Sequence, residues 1–127
     1  MLEKIVAEKS VGYYVYNEGD LILVFVHGYL SNSQQCWTNT DKNKFWPDLI
    51  KDDARFNKPS IYLSKFYTEV NSNDYSVQNC AEEVFGQLKR NDGSSKSPPI
   101  NKKNIVFVTH STGGIVVRYL LEASCEL

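Results

Sequence analysis

The hydrophobic pattern of the chain contains short, almost wholly apolar runs separated by longer mixed segments. Residues 21–26 (LILVFV) and 105–109 (IVFVT) are apolar almost throughout, which is typical of strands buried on both faces of a parallel sheet. Residues 13–16 predict a strand at a sheet edge, and residues 60–68 predict a strand in which apolar and polar positions alternate. The sequence therefore predicts four strands.

Three other segments carry apolar residues at helical spacing. Residues 44–53 predict a short helix, because Pro47 suits a first helical turn. Ser76 is a good N-cap for a helix over residues 77–90, and residues 112–123 predict a helix directly after the last strand. The positions expected to be buried by these helices are Phe45, Leu49, Ile50, Val77, Cys80, Ala81, Val84, Phe85, Leu88, Ile115, Val116, Tyr119, Leu120 and Ala123.

The order of these elements predicts the architecture. From residue 21 onward strands alternate with helices, which implies right-handed βαβ units and an α/β fold with a parallel sheet between helices. Ligands of such sheets bind beyond the carboxyl ends of the strands. The polar turns at residues 27–33 (HGYLSNS) and 109–114 (THSTGG) follow strands at that end, so we expect them to meet in one crevice. Residues 91–103 predict a solvated surface loop.

Composition narrows the function classes. The 127 residues suffice for one domain, and 42% apolar residues allow a buried core. With 14 Lys+Arg against 15 Asp+Glu, the chain has no basic stripe that would indicate nucleic acid. No run is long enough for a transmembrane segment, and the charged N-terminal segment does not resemble a signal peptide. The scattered Cys36, Cys80 and Cys125 predict free thiols in a reducing, cytoplasmic compartment, and we expect neither a metal nor a cofactor.

Ser111 stands between the second apolar strand and the last helix, in the sequence THSTGG. A serine nucleophile must be exposed above the sheet, and a sharp, strained strand-to-helix turn achieves this when small residues flank it. Gly113 is the small residue two positions on, and Gly114 predicts close packing of the helix on the strands. The N–H of Thr112, at the helix start, is expected to be one donor of an oxyanion hole.

The second polar turn begins with His27 and Gly28. Gly28 lets the backbone turn sharply, so that the N–H of Tyr29 is expected to point into the crevice as the other oxyanion donor. Loss of one such donor costs about 3–4 kcal/mol of transition-state stabilisation, so this loop matters as much as the serine.

The segments VFVHGYLSNSQQCW and IVFVTHSTGGIVVRYLL together resemble the N-terminal half of an α/β-hydrolase. They are most similar to intracellular lipases and serine esterases in the neighbourhood of the inositol-deacylase-like hydrolases, over residues 21–123. The resemblance implies that Ser111 is the nucleophile, that the amides of Thr112 and Tyr29 form the oxyanion hole, and that the substrate is an ester or lipid-like molecule. It also implies that His27 organises its loop and does not act as the base.

The resemblance also implies a catalytic acid and a catalytic histidine that this sequence does not supply. In the resembled family both follow the nucleophile along the chain, whereas the short segment after Ser111 reads as helix. We therefore expect a single, incomplete α/β-hydrolase domain over residues 1–127, truncated after the helix of the nucleophile elbow. His110 directly precedes the serine, so its side chain is expected to point into the scaffold and not to replace the base. Thr109 stands where the elbow motif of the family begins with glycine.

The sequence leaves two functions open. In the first, the chain is a serine hydrolase, or the N-terminal portion of one, that cleaves a carboxylic or lipid ester through an acyl-enzyme on Ser111. In the second, it is a catalytically inactive truncated homologue or fragment that acts through protein–protein contacts. The strand at residues 105–109 would then form an apolar sheet edge, which invites self-association. A Rossmann-like binding module is disfavoured, because the sequence has no phosphate-binding turn.

Four residues also allow plainer interpretations. Ser111 could lie on an ordinary strand-to-helix turn and cap the helix. Trp37 and Trp46 are expected to be hydrophobic anchors of the long loop and of the short helix that follows it. Arg118 lies beside the buried positions of the last helix, so a solvated or ion-paired guanidinium is expected.

Overall fold

A computed structural model describes residues 12–28, 35–66, 76–91 and 95–125 of the chain. From the first α-helix onward, helices and strands within these ranges alternate along the sequence, as expected for an α/β protein. In chain order the elements are β1 (Gly12–Val15), β2 (Leu21–Val26), β3 (Thr38–Asn39), β4 (Lys44–Phe45), α1 (Trp46–Lys51), β5 (Ser60–Leu63), α2 (Val77–Lys89), β6 (Asn104–Thr109) and α3 (Thr112–Cys125).

Four of the strands form one sheet in the order β1–β5–β2–β6. The strand β2 lies between β5 and β6 and is parallel to both, while β1 is antiparallel to β5. Pairing of β2 with β6 runs without a break from Leu21 opposite Asn104 to Val26 opposite Thr109. The predicted α/β fold with a mostly parallel sheet is therefore confirmed, and β1 is an edge strand as predicted.

The core has two layers, one on each face of β2. Because side chains alternate along a strand, Ile22, Val24 and Val26 face α2 and α3, whereas Leu23 and Phe25 face the opposite side. This two-sided burial explains why β2 is apolar at every position. The first layer includes Val84, Leu88, Val116 and Leu120, and the second includes Trp37, Phe45, Ile50, Ile61 and Leu63.

Two elements are shorter than the sequence predicts. The helix expected over residues 44–53 is confined to α1, because Lys44–Phe45 pairs with β3 as the strand β4. The strand expected over residues 60–68 ends at Leu63, and its last two positions lie outside the described residues. The helix α2 matches its prediction, since the hydroxyl oxygen of Ser76 accepts a hydrogen bond from the N–H of Asn79 at 3.3 Å.

Several positions that the helical spacing predicts to be buried are exposed. Ile115 is 57% exposed, because the sheet-facing side of α3 is centred on Val116, Val117 and Leu120. Helical spacing identifies an apolar stripe but not which part of the stripe faces the sheet. The other wrongly predicted positions are Leu49, Val77, Tyr119 and Ala123.

The loop before β6 is less solvated than predicted. Lys102 is buried, and its ammonium group donates to the carbonyl oxygens of Asn17 (2.5 Å) and Gly19 (2.7 Å) and lies over the ring of Tyr16. Pro99 is also buried. This part of the loop therefore fastens the turn between β1 and β2, which the local sequence does not reveal.

Candidate active site

The backbone reverses between β6 and α3 within two residues. Ser111, the second of the two, is exposed and has a φ of 54°, in the left-handed region. A left-handed conformation costs a residue other than glycine roughly 1–2 kcal/mol, so the surrounding structure must hold it in place. The structure thus shows the sharp turn that the sequence predicts, with the serine side chain at the carboxyl end of the sheet.

Three backbone hydrogen bonds fix this turn. The N–H of His110 donates to the carbonyl oxygen of Val26 at 3.1 Å, which ties the residue before the serine to the end of β2. The N–H groups of Gly113 and Gly114 donate to the carbonyl oxygens of His110 and Ser111, each at 3.0 Å. The peptide groups on both sides of Ser111 are therefore anchored.

The space around position 113 admits only glycine. A Cβ atom at this position would lie 2.5 Å from the carbonyl oxygen of Val26 and 2.6 Å from that of His27, and both oxygens belong to the backbone. Gly114 is less confined, since a Cβ atom there would first meet the hydroxyl oxygen of Thr109 at 3.3 Å. Both glycines therefore lie close to strands, Gly113 against the end of β2 and Gly114 against Thr109 of β6, and the closer approach is at Gly113.

The His27–Gly28 turn lies against the serine corner. A Cβ atom on Gly28 would come within 2.9 Å of both the Cβ of Ser111 and the carbonyl oxygen of His110. The fold therefore brings two turns that are far apart in sequence into contact. Thr112 is the first residue of α3, directly after the serine. Tyr29 lies outside the described residues, so its amide as an oxyanion donor stays a prediction.

His27 is buried, with 1% of its surface exposed, and both ring nitrogens are engaged. Nδ1 donates to the carbonyl oxygen of Gly28 at 2.9 Å, and Nε2 accepts from the N–H of Phe66 at 3.2 Å. The ring also stacks on that of Phe66, with centroids 4.4 Å apart. These contacts select the neutral tautomer with its proton on Nδ1, which leaves no ring nitrogen to take a proton from Ser111.

The pKa of His27 is lowered below its ordinary value, chiefly because burial penalises the charged imidazolium. The positive charge of Lys65 lowers the pKa further. The bond to Gly28 and the negative charge of Glu83 oppose the shift without cancelling it. His27 is therefore a neutral, hydrogen-bonded part of the loop at physiological pH.

His110, the other histidine in the sequence, lies at the rim of the corner. Its side chain is exposed, and its ring meets that of Trp37 edge-on with centroids 6.3 Å apart. The side chain is therefore not enclosed in the scaffold as predicted, although its Nδ1 lies 3.0 Å from the position that a Cβ atom on Gly28 would take. Trp37 is buried against Phe25 as an anchor, whereas Trp46 is about half exposed.

Gln87 and Phe66 complete the surroundings of His27, and the sequence alone does not single them out. Gln87 interrupts the apolar stripe of α2, on the side that carries Val84 and Leu88, and it is buried. A polar residue in an otherwise apolar stripe is the signal that could have identified it. The carboxamide of Gln87 forms two hydrogen bonds to the backbone of Lys65, the residue before Phe66.

The molecule is thus an α/β protein with an exposed serine on a strained turn at the carboxyl end of a mostly parallel sheet. The family model described as "Putative serine esterase (DUF676)" matches residues 16–125, and the chain belongs to that family. No curated protein and no solved structure matches the chain. No helix in the described part of the chain combines the length and apolarity needed to cross a lipid bilayer.

Proposed function

We propose that this chain carries the nucleophile half of a serine esterase site, with Ser111 as the nucleophile. The observation that carries the proposal is the left-handed φ of 54° at an exposed serine that packs against Gly28. Membership of a serine esterase family supports the same reading. We further propose that the chain is a single α/β-hydrolase domain, incomplete in its catalytic residues and related to intracellular lipases and inositol-deacylase-like hydrolases.

In the proposed reaction, the Oγ of Ser111 attacks the carbonyl carbon of a carboxylic ester. A tetrahedral oxyanion forms between the N–H of Thr112 and the N–H of Tyr29, near the positive end of the α3 dipole. Collapse breaks the bond to the alcohol, which leaves with the proton that a base took from the serine, and water then hydrolyses the acyl-enzyme. Acyl transfer of this kind needs no cofactor.

The base in this scheme cannot be His27, because its two ring nitrogens are hydrogen-bonded to Gly28 and Phe66. We propose that the triad is completed by an acid and by a histidine that is neither His27 nor His110 and that these 127 residues therefore do not supply. The net charge of −1 favours a small ester or lipid-like substrate over nucleic acid. The three scattered cysteines of the sequence do not suggest a disulfide framework, which favours a cytoplasmic location.

Labelling with an alkyl fluorophosphonate tests this assignment. We expect mass spectrometry to find the adduct on Ser111, forming slowly and faster with rising pH, because the structure shows no hydrogen bond in the described part of the chain from the Ser111 hydroxyl to a base. Ser111→Ala should abolish the adduct, whereas Ser95→Ala, which changes another exposed serine, should leave it intact. A folded protein without an adduct at Ser111 contradicts the proposal.

Reaction with a nitrophenyl ester distinguishes a chain that only forms the acyl-enzyme from one that also hydrolyses it. The proposal predicts slow release of no more than one equivalent of nitrophenol per chain, with the acyl group retained on Ser111, because nitrophenol is a good leaving group whereas deacylation by water needs a base. Continuous turnover that Ser111→Ala abolishes would instead show that the chain is a complete enzyme, and would exclude the inactive reading.

A second candidate function is self-association through β6. This strand is at the edge of the sheet that the described residues form, and Val106 in its middle is 46% exposed. On the opposite face of the sheet, Phe107 of β6 and the exposed Leu121 of α3 line one groove along the same edge. Two copies could pair their β6 strands antiparallel across a two-fold axis, which would satisfy the unpaired edge groups of both.

Light scattering after size-exclusion chromatography tests the pairing. We expect a dimer for the unmodified chain and a monomer for Val106→Lys, since a charge on the edge strand opposes strand pairing. Val77→Lys, at a similarly exposed valine on α2, is the matched control and should remain dimeric. A monomeric unmodified chain would rule out this second function.

A further inference from the structure

We infer that Gln87 is a positioning residue for the candidate active site. Through Lys65, Phe66 and His27 it holds the Gly28 peptide against Ser111. Only the predicted effect on the reactivity of Ser111 rests on the proposed function, because the contacts of Gln87 are observed independently of any activity.

The first link runs from α2 to the segment after β5. The side-chain oxygen of Gln87 accepts a hydrogen bond from the N–H of Lys65 at 3.1 Å, and its amide nitrogen donates to the carbonyl oxygen of Lys65. A carboxamide can donate and accept in this way with one planar group, whereas an apolar side chain of similar size can do neither. The hydroxyl of Tyr62 donates to the carbonyl oxygen of Gln87 at 3.3 Å, which fastens the same helical turn to β5.

The second link runs from this segment to His27. Ser64 is bound to the end of β2, since its N–H and hydroxyl both donate to the carbonyl oxygen of Phe25, at 3.1 and 3.0 Å. The bonds from Gln87 fix the next peptide groups. They thereby aim the N–H of Phe66 at Nε2 of His27, 3.2 Å away. That bond keeps Nε2 unprotonated and places the ring proton on Nδ1.

The third link runs from His27 to the serine. Nδ1 donates to the carbonyl oxygen of Gly28 at 2.9 Å, and Gly28 lies directly against Ser111. A peptide group is planar, so a carbonyl held in one direction also fixes the amide N–H that follows it. That amide is the one we propose as the second oxyanion donor. Loss of the Gln87 carboxamide would therefore displace the proposed oxyanion donor, although Gln87 itself does not contact the substrate.

A merely structural role for Gln87 would affect stability and leave the state of the His27 ring unchanged in the folded protein. Long-range 1H–15N spectra of the imidazole distinguish the two roles. In the unmodified protein we expect one neutral tautomer, protonated on Nδ1. In folded Gln87→Leu we expect a mixture of tautomers and a ring pKa that moves back toward its ordinary value, with Lys65 and Glu83 still the charged groups that act on it.

The control is Gln78→Leu, which makes the same change on the same helix. Gln78 is exposed, and its amide nitrogen donates to the carboxylate of Glu82 on the surface of α2, so its replacement should leave the His27 ring unchanged. A His27 ring that keeps its single tautomer and pKa in folded Gln87→Leu overturns the inference.

Fluorophosphonate labelling of Ser111 is the second readout. Misplacement of the oxyanion amide should slow labelling by about 10- to 100-fold in Gln87→Leu and not in Gln78→Leu. If the unmodified protein is not labelled but Gln87→Leu changes the His27 tautomer, the proposed function is refuted while the link from Gln87 to His27 is supported. If Ser111 is labelled at the same rate in the unmodified protein and in folded Gln87→Leu, Gln87 does not position the candidate active site.

Gln87→Glu serves where Gln87→Leu does not fold. A protonated carboxyl can both donate to and accept from the Lys65 peptide as the carboxamide does, whereas a carboxylate can only accept. We therefore expect the labelling rate relative to unmodified protein to recover as the pH falls and the introduced carboxyl takes up its proton. A relative rate that is independent of pH contradicts the positioning role.

Discussion

Replacement of Ser111 by glycine should stabilise the protein while it removes the nucleophile. Ser111 has a φ of 54°, which costs a residue other than glycine roughly 1–2 kcal/mol. Glycine removes this strain but gains unfolded-state entropy, which offsets about 0.4–1 kcal/mol. We therefore expect Ser111→Gly to raise the free energy of unfolding by about 1 kcal/mol over Ser111→Ala. Ser111→Ala itself should change stability by no more than about 0.5 kcal/mol, because the side chain is exposed.

Urea denaturation measures this difference as a shift in midpoint at constant slope. Lys58→Gly is the matched control, since Lys58 is exposed, has a φ of 52° and lies in the loop before β5. It should give a similar gain in stability and leave fluorophosphonate labelling unchanged. If Lys58→Gly is stabilising and Ser111→Gly is no more stable than Ser111→Ala, the strained turn is refuted.

Three further predictions address the surroundings of the serine. Gly113→Ala should destabilise the protein by about 3 kcal/mol or more, because its Cβ would meet two backbone oxygens, as urea denaturation will show. Gly86→Ala, inside α2 where a Cβ meets nothing, should instead stabilise by about 0.5–1 kcal/mol, and an equal loss at both glycines would contradict the packing described. Because the pKa of His27 is lowered by folding, the unfolded chain binds a proton more readily, so stability should fall as the pH drops below about 6.5. His27→Gln should flatten that pH dependence, and an unchanged slope would exclude His27 as its source.

The sequence predicts the parts of the fold that local chemistry determines. The uninterrupted apolar run of β2 indicates burial on both faces, and Ser76 marks the start of α2 correctly. The turn at Ser111 is predictable as well, because a serine with glycines two and three positions later, between an apolar strand and an apolar helix, suits few other conformations.

The remaining features depend on partners that are distant in sequence. The buried ammonium of Lys102 is compensated by carbonyl groups of the turn before β2, which no local pattern relates to it. The exposure of Ile115 depends on how α3 is rotated against the sheet. The link from Gln87 to His27 depends on the peptide groups of Lys65 and Phe66, whose directions follow only from the assembled fold.

The most direct test of the central claim is the 1H–15N spectrum of the protein after phosphonylation of Ser111, since the phosphonyl oxygen occupies the place of the oxyanion. We predict that the amide protons of Thr112 and Tyr29 make the largest downfield shifts, because both would donate to that oxygen. An adduct on Ser111 that moves neither amide would contradict the claim that the two turns form one catalytic crevice.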